Sequence, residues 1–257
     1  MIDLDACDRD FISALAGELP VVPLEHGRER LDGEIGVFAH GGRAIAISAH
    51  HCDLTALPDL SGLAHLQRLD VGGNQLAELP PLPPSLRELY IYENRFVRLP
   101  ALPALRVLDA NRNRLVELPH LANYEFVYLA SNRLATPPSI ANVRYLNVGD
   151  NPLLYLPNDR DLEELRAEDA GLSSLTDAIA NLTAVRELHL RNNHLAELPA
   201  AIGSLAQLRV LDLRGNRLDT LPDSLATLPL AKLDLRWNPL RNPPAWLHEL
   251  RDCLVYT

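Results

Sequence analysis

Residues that can exchange protons recur along this sequence at intervals of 19 or 20 positions. His50 is followed by Asp70, Tyr90 and Asp109, and Tyr92 lies two residues after Tyr90. Imidazole, carboxyl and phenol groups serve as general acids and bases when the fold brings them within hydrogen-bonding reach. We therefore take His50, Asp70 and Asp109 as candidate catalytic residues, with Tyr92 beside them.

Other kinds of catalytic or metal site find little support in the sequence. His50 and His51 are adjacent, and adjacent side chains of a strand point to opposite faces, so they rarely chelate one ion. Cys7, Cys52 and Cys253 are too far apart for a metal knuckle, and their odd number fits a reducing compartment. The sequence has no phosphate loop, no GxSxG, no HExxH and no dinucleotide fingerprint. We expect no cofactor and no metal, and we favour a non-enzymatic protein.

Composition and charge narrow the classes of partner. Leucine accounts for 53 of the 257 residues, proline for 20, and aromatic residues for only 5%. The net charge of −10 argues against nucleic acid or an anionic membrane as a partner, because both require basic surface. The N-terminus does not read as a secretory signal, and no apolar run is long enough to span a membrane. We expect a cytoplasmic protein, monomeric in solution.

One string of residues recurs along most of the chain. From Leu66 to Pro80 it reads L-x-x-L-x-L-x-x-N-x-L-x-x-L-P, and we call the place of its N the asparagine position. In chain order this position is occupied by Cys52, Asn74, Asn94, Asn113, Asn132, Asn151, Ala170, Asn193, Asn216 and Asn238. Two residues later stands leucine in nine units and phenylalanine in one. Such phasing indicates a structural repeat.

The spacing within the string predicts how the units pack. In L-x-L the two apolar side chains share one face of a short strand, and stacked units bury that face continuously. The repeat resembles the leucine-rich repeat, with ten units over residues 44–244. This resemblance implies an α/β fold, a right-handed, curved solenoid with a parallel sheet on its concave side. It also implies that a protein or peptide binds the concave face.

The N-terminal end is predicted to be capped, because the outermost leucines would otherwise meet water. Apolar side chains in residues 3–17 have helical spacing. Residues 35–40 and 43–48 flank a Gly-Gly pair, which is typical of a β-hairpin. We predict a cap over residues 1–43, with the second arm of the hairpin as the first repeat strand.

The C-terminal end is predicted to close with a helix. Pro244 suits the first position of a helix, and Trp246, Leu247 and Leu250 would then face the core. We assign residues 245–257 to this cap.

Unit length predicts two kinds of return path on the side away from the sheet. Residues 79–84 and 99–103 are too rich in proline for a helix and should run extended. Residues 177–182 and 200–205 belong to longer units and can form short helical turns. We therefore expect a mostly extended outer side in the first part and short helices in the last.

Each kind of unit resembles a known group of repeats. The segment from Leu79 to Leu89, LPxLPxxLxxL in form, resembles the repeats of bacterial type III effectors. The segment from Leu198 to Asn216 is similar to repeats of the Ras-suppressor group. The first resemblance implies a bacterial protein that acts as an effector or adaptor, with injection into a host cell as the alternative to the bacterial cytoplasm.

Aromatic residues concentrate on the predicted concave face. The repeat register places Tyr90, Tyr92, Phe126, Tyr128 and Tyr145 on neighbouring strands. Tyrosine combines apolar area with a hydrogen-bonding group, as binding hot spots require. We predict one aromatic binding patch there, and the alternative is ladder packing that only stabilises the sheet. The same face carries the further binding candidate Asn111, with Gly72, Ala130 and Gly149 leaving space.

A row of arginines forms a second candidate surface. Arg191, Arg214 and Arg236 lie at equivalent positions of successive units, beside Asp212 and Asp234. The arginines either pair with these aspartates or bind an acidic partner.

Two function hypotheses follow from these surfaces. The first is a protein- or peptide-binding module that uses the concave face. The alternative is an unusual enzyme with an acid–base site around His50, Asp70 and Tyr92, which would require a pocket at that place.

Apart from the first unit, which has Cys52, one unit departs from the repeat at its asparagine position. Ala170 cannot make the hydrogen bonds of an asparagine side chain, so we expect a weak point there. Ala170→Asn should raise stability, provided that the turn has the standard backbone.

Overall fold

The computed structural model describes residues 2–24, 32–250 and 253–257. The chain divides into two compact units, unit 1 with residues Met1–Pro119 and unit 2 with residues His120–Thr257. No helix among these described residues is long and apolar enough to cross a lipid bilayer.

Unit 1 begins with a helix that packs its apolar stripe inward. Helix α1 covers Ala6–Ala16, and Phe11, Ile12 and Leu15 are buried. Asp8 is buried on the same helix, and its Oδ2 accepts a hydrogen bond from the Ala44 N–H at 2.7 Å. The predicted N-terminal helix is confirmed, and a buried carboxylate ties it to the first repeat strand.

The predicted hairpin follows, with one strand more than the sequence indicated. Strand β1 covers Val21–Pro23, β2 covers Ile35–His40 and β3 covers Arg43–Ser48. The arms β2 and β3 are antiparallel, and the Gly-Gly pair of their turn has φ values of 56° and 77° that favour glycine. Strand β1 pairs parallel with β2 and forms the outermost strand described in unit 1.

The repeats of unit 1 continue the sheet from β3. Three strands add to it in parallel, one from each repeat: β4 (Arg68–Asp70), β5 (Glu88–Tyr90) and β6 (Val107–Asp109). Pairing aligns one apolar residue of each strand, and the aligned residues are all at most 1% exposed. This buried column consists of Ile47, Leu69, Leu89 and Leu108.

Unit 2 repeats the same construction. Its main strands are β8 (Phe126–Tyr128), β10 (Tyr145–Asn147), β11 (Glu164–Arg166), β12 (Glu187–His189), β13 (Val210–Asp212), β14 (Lys232–Asp234) and β15 (Leu254–Tyr256). Each pairs in parallel with the next. A small second sheet joins β7 (Leu121–Ala122) to β9 (Ile140–Ala141) on two return paths. Nothing in the repeat pattern had indicated this second sheet.

The return paths agree with the sequence predictions. Residues 79–84 and 99–103 contain neither helix nor strand. Short 3-10 helices cover Asp177–Asn181 and Ala200–Ser204, and a third covers Asp223–Thr227.

The C-terminal cap differs from the prediction. The predicted helix is a single 3-10 turn, Ala245–His248, in which Leu247 is buried while Trp246 and Leu250 are only partly covered. The Trp246 indole N–H donates to Asp223 Oδ1 at 3.2 Å. Strand β15, which the sequence analysis missed, follows and adds to β14. Its short Leu-Val-Tyr sequence carries no repeat signature, so only pairing with β14 defines it as a strand.

Buried asparagines connect successive turns. Asn216 illustrates the pattern. Its Oδ1 accepts a hydrogen bond from the Leu195 N–H of the preceding repeat, and its Nδ2 donates to the Leu190 and Leu213 carbonyls at 2.9 Å. The residue before the asparagine has a positive φ, as Gly215 does at 64°. The amide thus satisfies backbone groups that the turn leaves without partners.

The two positions without asparagine have a rebuilt turn. After Cys52 and Ala170 the next residue also has a positive φ, 55° at Asp53 and 71° at Gly171. The carbonyl of Ala170 accepts the Leu153 N–H at 3.0 Å, a bond that an asparagine side chain makes elsewhere. The standard backbone assumed for Ala170→Asn is therefore absent.

Candidate functional site

The candidate site residues lie on the solvent face of the sheet, the face that we expected to be concave. On each strand they flank the buried apolar column, because successive side chains of a strand alternate between faces. Asp or Asn residues at the last position of several strands have a structural role on this face. A side-chain oxygen of each accepts a hydrogen bond from the backbone N–H two residues later, at 3.0–3.4 Å. The acceptors are Asp70, Asp109, Asn147, Asp212 and Asp234.

Asp109, a catalytic candidate, is one of these acceptors. Its Oδ1 accepts the N–H of Asn111, a binding candidate, at 3.1 Å. Burial raises the pKa of Asp109, and the hydrogen bond from Asn111 opposes that shift only in part. Both residues therefore take part in shaping the end of β6.

The structure brings His50 and Asp70 together. His50 Nδ1 lies 3.5 Å from Asp70 Oδ2 and 2.9 Å from Ser48 Oγ. A serine–histidine–aspartate relay needs the two partners on different ring nitrogens, and here both face Nδ1. The His51 ring is perpendicular to that of His50, at 5.5 Å between centroids, and lies against Gly73. These two contacts of His50 thus do not form a nucleophilic relay.

Two pockets lie away from these residues. Both are on the return side of unit 2, and they share a wall formed by Leu154, Tyr155 and Pro157. Neither is lined by His50, Asp70 or Tyr92, so neither provides the pocket that the enzyme hypothesis requires there.

The aromatic candidates of unit 1 are held by their neighbours. The Arg68 guanidinium lies 4.6 Å from the Tyr90 ring centroid, and the Tyr90 hydroxyl donates to Glu88 Oε2 at 3.3 Å. The Tyr92 ring covers Gly72 so closely that a Cβ there would lie 2.2 Å from the ring. Glycine at position 72 therefore makes room for Tyr92.

The aromatic candidates of unit 2 form a cluster of three rings, which we call the aromatic cluster. The ring centroid of Tyr145 lies 4.9 Å from that of Tyr128 and 5.9 Å from that of Phe126, and the centroids of Phe126 and Tyr128 lie 6.4 Å apart. Phe126 is 39% exposed although it is fully apolar. Burial raises the pKa of Tyr145 to about 12, so its hydroxyl stays protonated. The single patch of five rings stays a prediction.

Two of the three arginines pair with the aspartate that ends the strand two residues earlier. Arg214 bonds both oxygens of Asp212, at 2.9 Å and 2.6 Å, and Arg236 bonds both oxygens of Asp234, at 3.0 Å and 2.7 Å. Arg191 is exposed. The pairs correspond to the self-pairing alternative and leave Arg191 as the most accessible arginine of the three.

The structure also assembles a group that the sequence analysis did not single out. Glu164 Oε1 and Glu187 Oε2 lie 3.9 Å and 3.2 Å from His189 Nε2. Glu187 and Glu164 occupy equivalent positions of neighbouring repeats, and His189 follows Glu187 by two residues. Aligning the repeats by their asparagine positions places all three on one face, but the sequence analysis assigned them no role.

These observations define the class of protein. A family model described as a leucine-rich repeat matches residues 183–240. This match, the parallel sheet and its buried leucine column show that the chain has the leucine-rich-repeat fold.

Among solved structures, the chain is similar to the leucine-rich effector protein YopM of Yersinia pestis. The two are 30% identical with a TM-score of 0.68, over 78% of this chain and 57% of that one. The chain thus spans little more than half of the YopM chain. No comparison confirms the resemblance to the Ras-suppressor group, and no curated protein matches the sequence.

Two further solved structures share the fold at lower identity. The ectodomain of the Arabidopsis thaliana receptor kinase GASSHO1/SCHENGEN3, solved in complex with CASPARIAN STRIP INTEGRITY FACTOR 2, is 24% identical with a TM-score of 0.63, over 86% of this chain and 31% of that one. Drosophila Toll, solved in complex with Spatzle, is 21% identical with a TM-score of 0.61, over 74% of this chain and 34% of that one.

Proposed function

We propose that the chain is a protein- or peptide-binding module and that the aromatic cluster is the centre of its binding surface. The exposure of Phe126 carries the proposal, because an apolar ring at the solvent face gains free energy when a partner covers it. Tyr128 and Tyr145 pack beside Phe126 and limit its motion, which lowers the entropy cost of binding.

The nature of the partner follows from the likeness to YopM and from the charge of the chain. We extend to this chain the role of an effector or adaptor, acting in a bacterial cytoplasm or inside a host cell. The net charge of −10 favours a protein or peptide over nucleic acid or an anionic membrane.

A capture experiment tests the binding surface. The tagged chain is used as bait in a bacterial and in a eukaryotic lysate, beside the double variant Phe126→Ala, Tyr128→Ala. Each lost hot-spot side chain should cost about 2 kcal/mol, so the double variant should lose the partners that the original chain retains. The lysate that supplies these partners distinguishes the two locations.

A matched control separates binding from folding. Tyr155→Ala removes an exposed tyrosine on the return side of unit 2 and should leave capture unchanged. Circular dichroism should show that both variants are folded. Equal capture by a folded Phe126→Ala, Tyr128→Ala variant would show that the aromatic cluster is not the binding surface.

A further inference from the structure

We propose that Glu164, Glu187 and His189 bind a divalent transition-metal ion of the zinc class on the solvent face of unit 2. Their strands are neighbours: Glu164 on β11 pairs directly with Glu187 on β12. His189 lies two residues after Glu187 and therefore on the same face. Three potential ligands thus converge from two adjacent, rigid strands.

The distances between the ligand atoms suit a tetrahedral ion. His189 Nε2 lies 3.2 Å from Glu187 Oε2 and 3.9 Å from Glu164 Oε1, and the three atoms lie within 4.8 Å of one another. Zinc bonds to nitrogen and oxygen of about 2.0–2.2 Å place the ligand atoms of a tetrahedron about 3.3–3.6 Å apart. Small rotamer changes would therefore close the site around an ion.

The charges at this place also favour a cation. Two carboxylates directly opposite each other on adjacent strands repel. Arg166 Nε donates to Glu164 Oε1 at 2.6 Å and compensates one of them. Glu187 Oε2 lies 3.2 Å from His189 Nε2, which is an ion pair only if the imidazole is protonated and otherwise a hydrogen bond from a neutral Nε2–H. A divalent ion bound to Nε2 of the neutral imidazole would replace that proton and would also offset the repulsion between the two carboxylates.

Neighbouring groups have identifiable effects on the site. The Arg166 guanidinium uses one lone pair of Glu164 Oε1 and fixes the direction of the carboxylate, as partners of metal ligands commonly do. Arg166 also lies 3.8 Å from Glu168, so its charge is shared between two carboxylates. The side chain of His189 is only 13% exposed, which holds its ring in place, while Glu187 stays accessible to an ion from solution.

The ligand types indicate which ion is bound. An imidazole nitrogen with two carboxylates suits zinc, cobalt and nickel, whereas magnesium and calcium prefer oxygen ligands alone. Three protein ligands leave a fourth position for water or for a group of a partner. The site departs from our sequence-based expectation of no metal, which considered only cysteines and adjacent histidines.

Calorimetric titration of the full chain with Zn²⁺ tests the proposal. We expect one saturable site in the original chain, and no comparable site for Mg²⁺ or Ca²⁺. Removing a ligand by His189→Gln or Glu187→Gln should weaken Zn²⁺ binding at least tenfold. The matched control His194→Gln removes an exposed histidine of the same repeat and should leave the affinity unchanged.

Two further measurements make the outcome decisive. Cobalt substituted for zinc should give the visible absorption of a tetrahedral site, and His189→Gln should abolish it. Melting curves without metal identify any variant that fails to fold, and Glu187→Gln then replaces His189→Gln. Absence of saturable Zn²⁺ binding, equal affinity in a folded ligand variant, or equal binding of Ca²⁺ would each overturn the proposal. None of these results depends on whether the aromatic cluster binds a partner.

Discussion

Replacing Asn193 by alanine should be among the most destabilising single changes in unit 2. Asn193 is 2% exposed and follows the repeat whose own asparagine position holds Ala170. Its Oδ1 accepts the N–H groups of Ala170 at 3.2 Å and of Leu172 at 3.0 Å. Its Nδ2 donates to the Ala167 and Leu190 carbonyls at 2.8 Å and 2.9 Å. Asn193→Ala would leave two successive turns without a side-chain amide.

The magnitude follows from the groups left without partners. A buried donor that loses its acceptor costs about 1–3 kcal/mol, so the two N–H groups alone amount to roughly 2–6 kcal/mol. Carbonyls have two lone pairs and tolerate the loss of one donor better. We therefore expect Asn193→Ala to lower the free energy of unfolding by roughly 2–6 kcal/mol.

Urea unfolding followed by circular dichroism measures this loss. The matched control is Asn181→Ala, which removes an exposed asparagine at the end of a 3-10 helix and should change stability by less than about 0.5 kcal/mol. Hydrogen exchange should also accelerate at the amides of Ala170 and Leu172. A loss below about 1 kcal/mol, with both amides still protected, would refute the importance of the side-chain amide.

Three further changes test the turns and the buried carboxylates. Ala170→Asn should not raise the melting temperature, because the Ala170 carbonyl already accepts the Leu153 N–H. A clear increase of the melting temperature in calorimetry would contradict the rebuilt turn. Asp109→Asn should raise the melting temperature at pH 7, since burial raises the pKa of this carboxyl and the ionised form destabilises the fold. That gain should vanish below about pH 4, where the aspartate is neutral in both states, and an equal gain at pH 3 would argue against this cause. Burial of Asp212 acts to raise its pKa, but the hydrogen bonds from Arg214 together with nearby positive charge, chiefly that of Arg214, outweigh burial and hold the pKa of Asp212 below its ordinary value. The ionised Asp212 should therefore stabilise the fold above about pH 4, and this stabilisation should be lost as the pH falls through its lowered pKa in the folded state. In Asp212→Asn, the free energy of unfolding should fall less steeply with pH over that range. An unchanged dependence on pH would contradict the role of this carboxylate.

The repeat string by itself determined the fold class and the position of each repeat strand in the main sheet, but not the small second sheet of β7 and β9. Leucines at fixed intervals can be buried only if every unit places the same residues inward, so the phasing specifies the strands and the buried column. Proline content separated return paths without helix from those with 3-10 turns, because proline lacks the N–H that a helix requires. Gly41-Gly42 likewise marked the hairpin, since its turn needs positive φ values.

The tertiary structure alone decided what the polar residues of the solvent face do. A column of aspartates that looked available for chemistry accepts backbone N–H groups at the strand ends, because each strand is only three residues long and its last donors need partners. Strand β15 exists because pairing with β14 satisfies its backbone, a property that three residues cannot express in sequence. The group of Glu164, Glu187 and His189 depends on the register between β11 and β12 and on the rotamers of three side chains. The repeat pattern determines which side chains lie close enough on neighbouring strands to interact. Rotamers and competing partners, such as Arg166, determine which of these side chains are in contact.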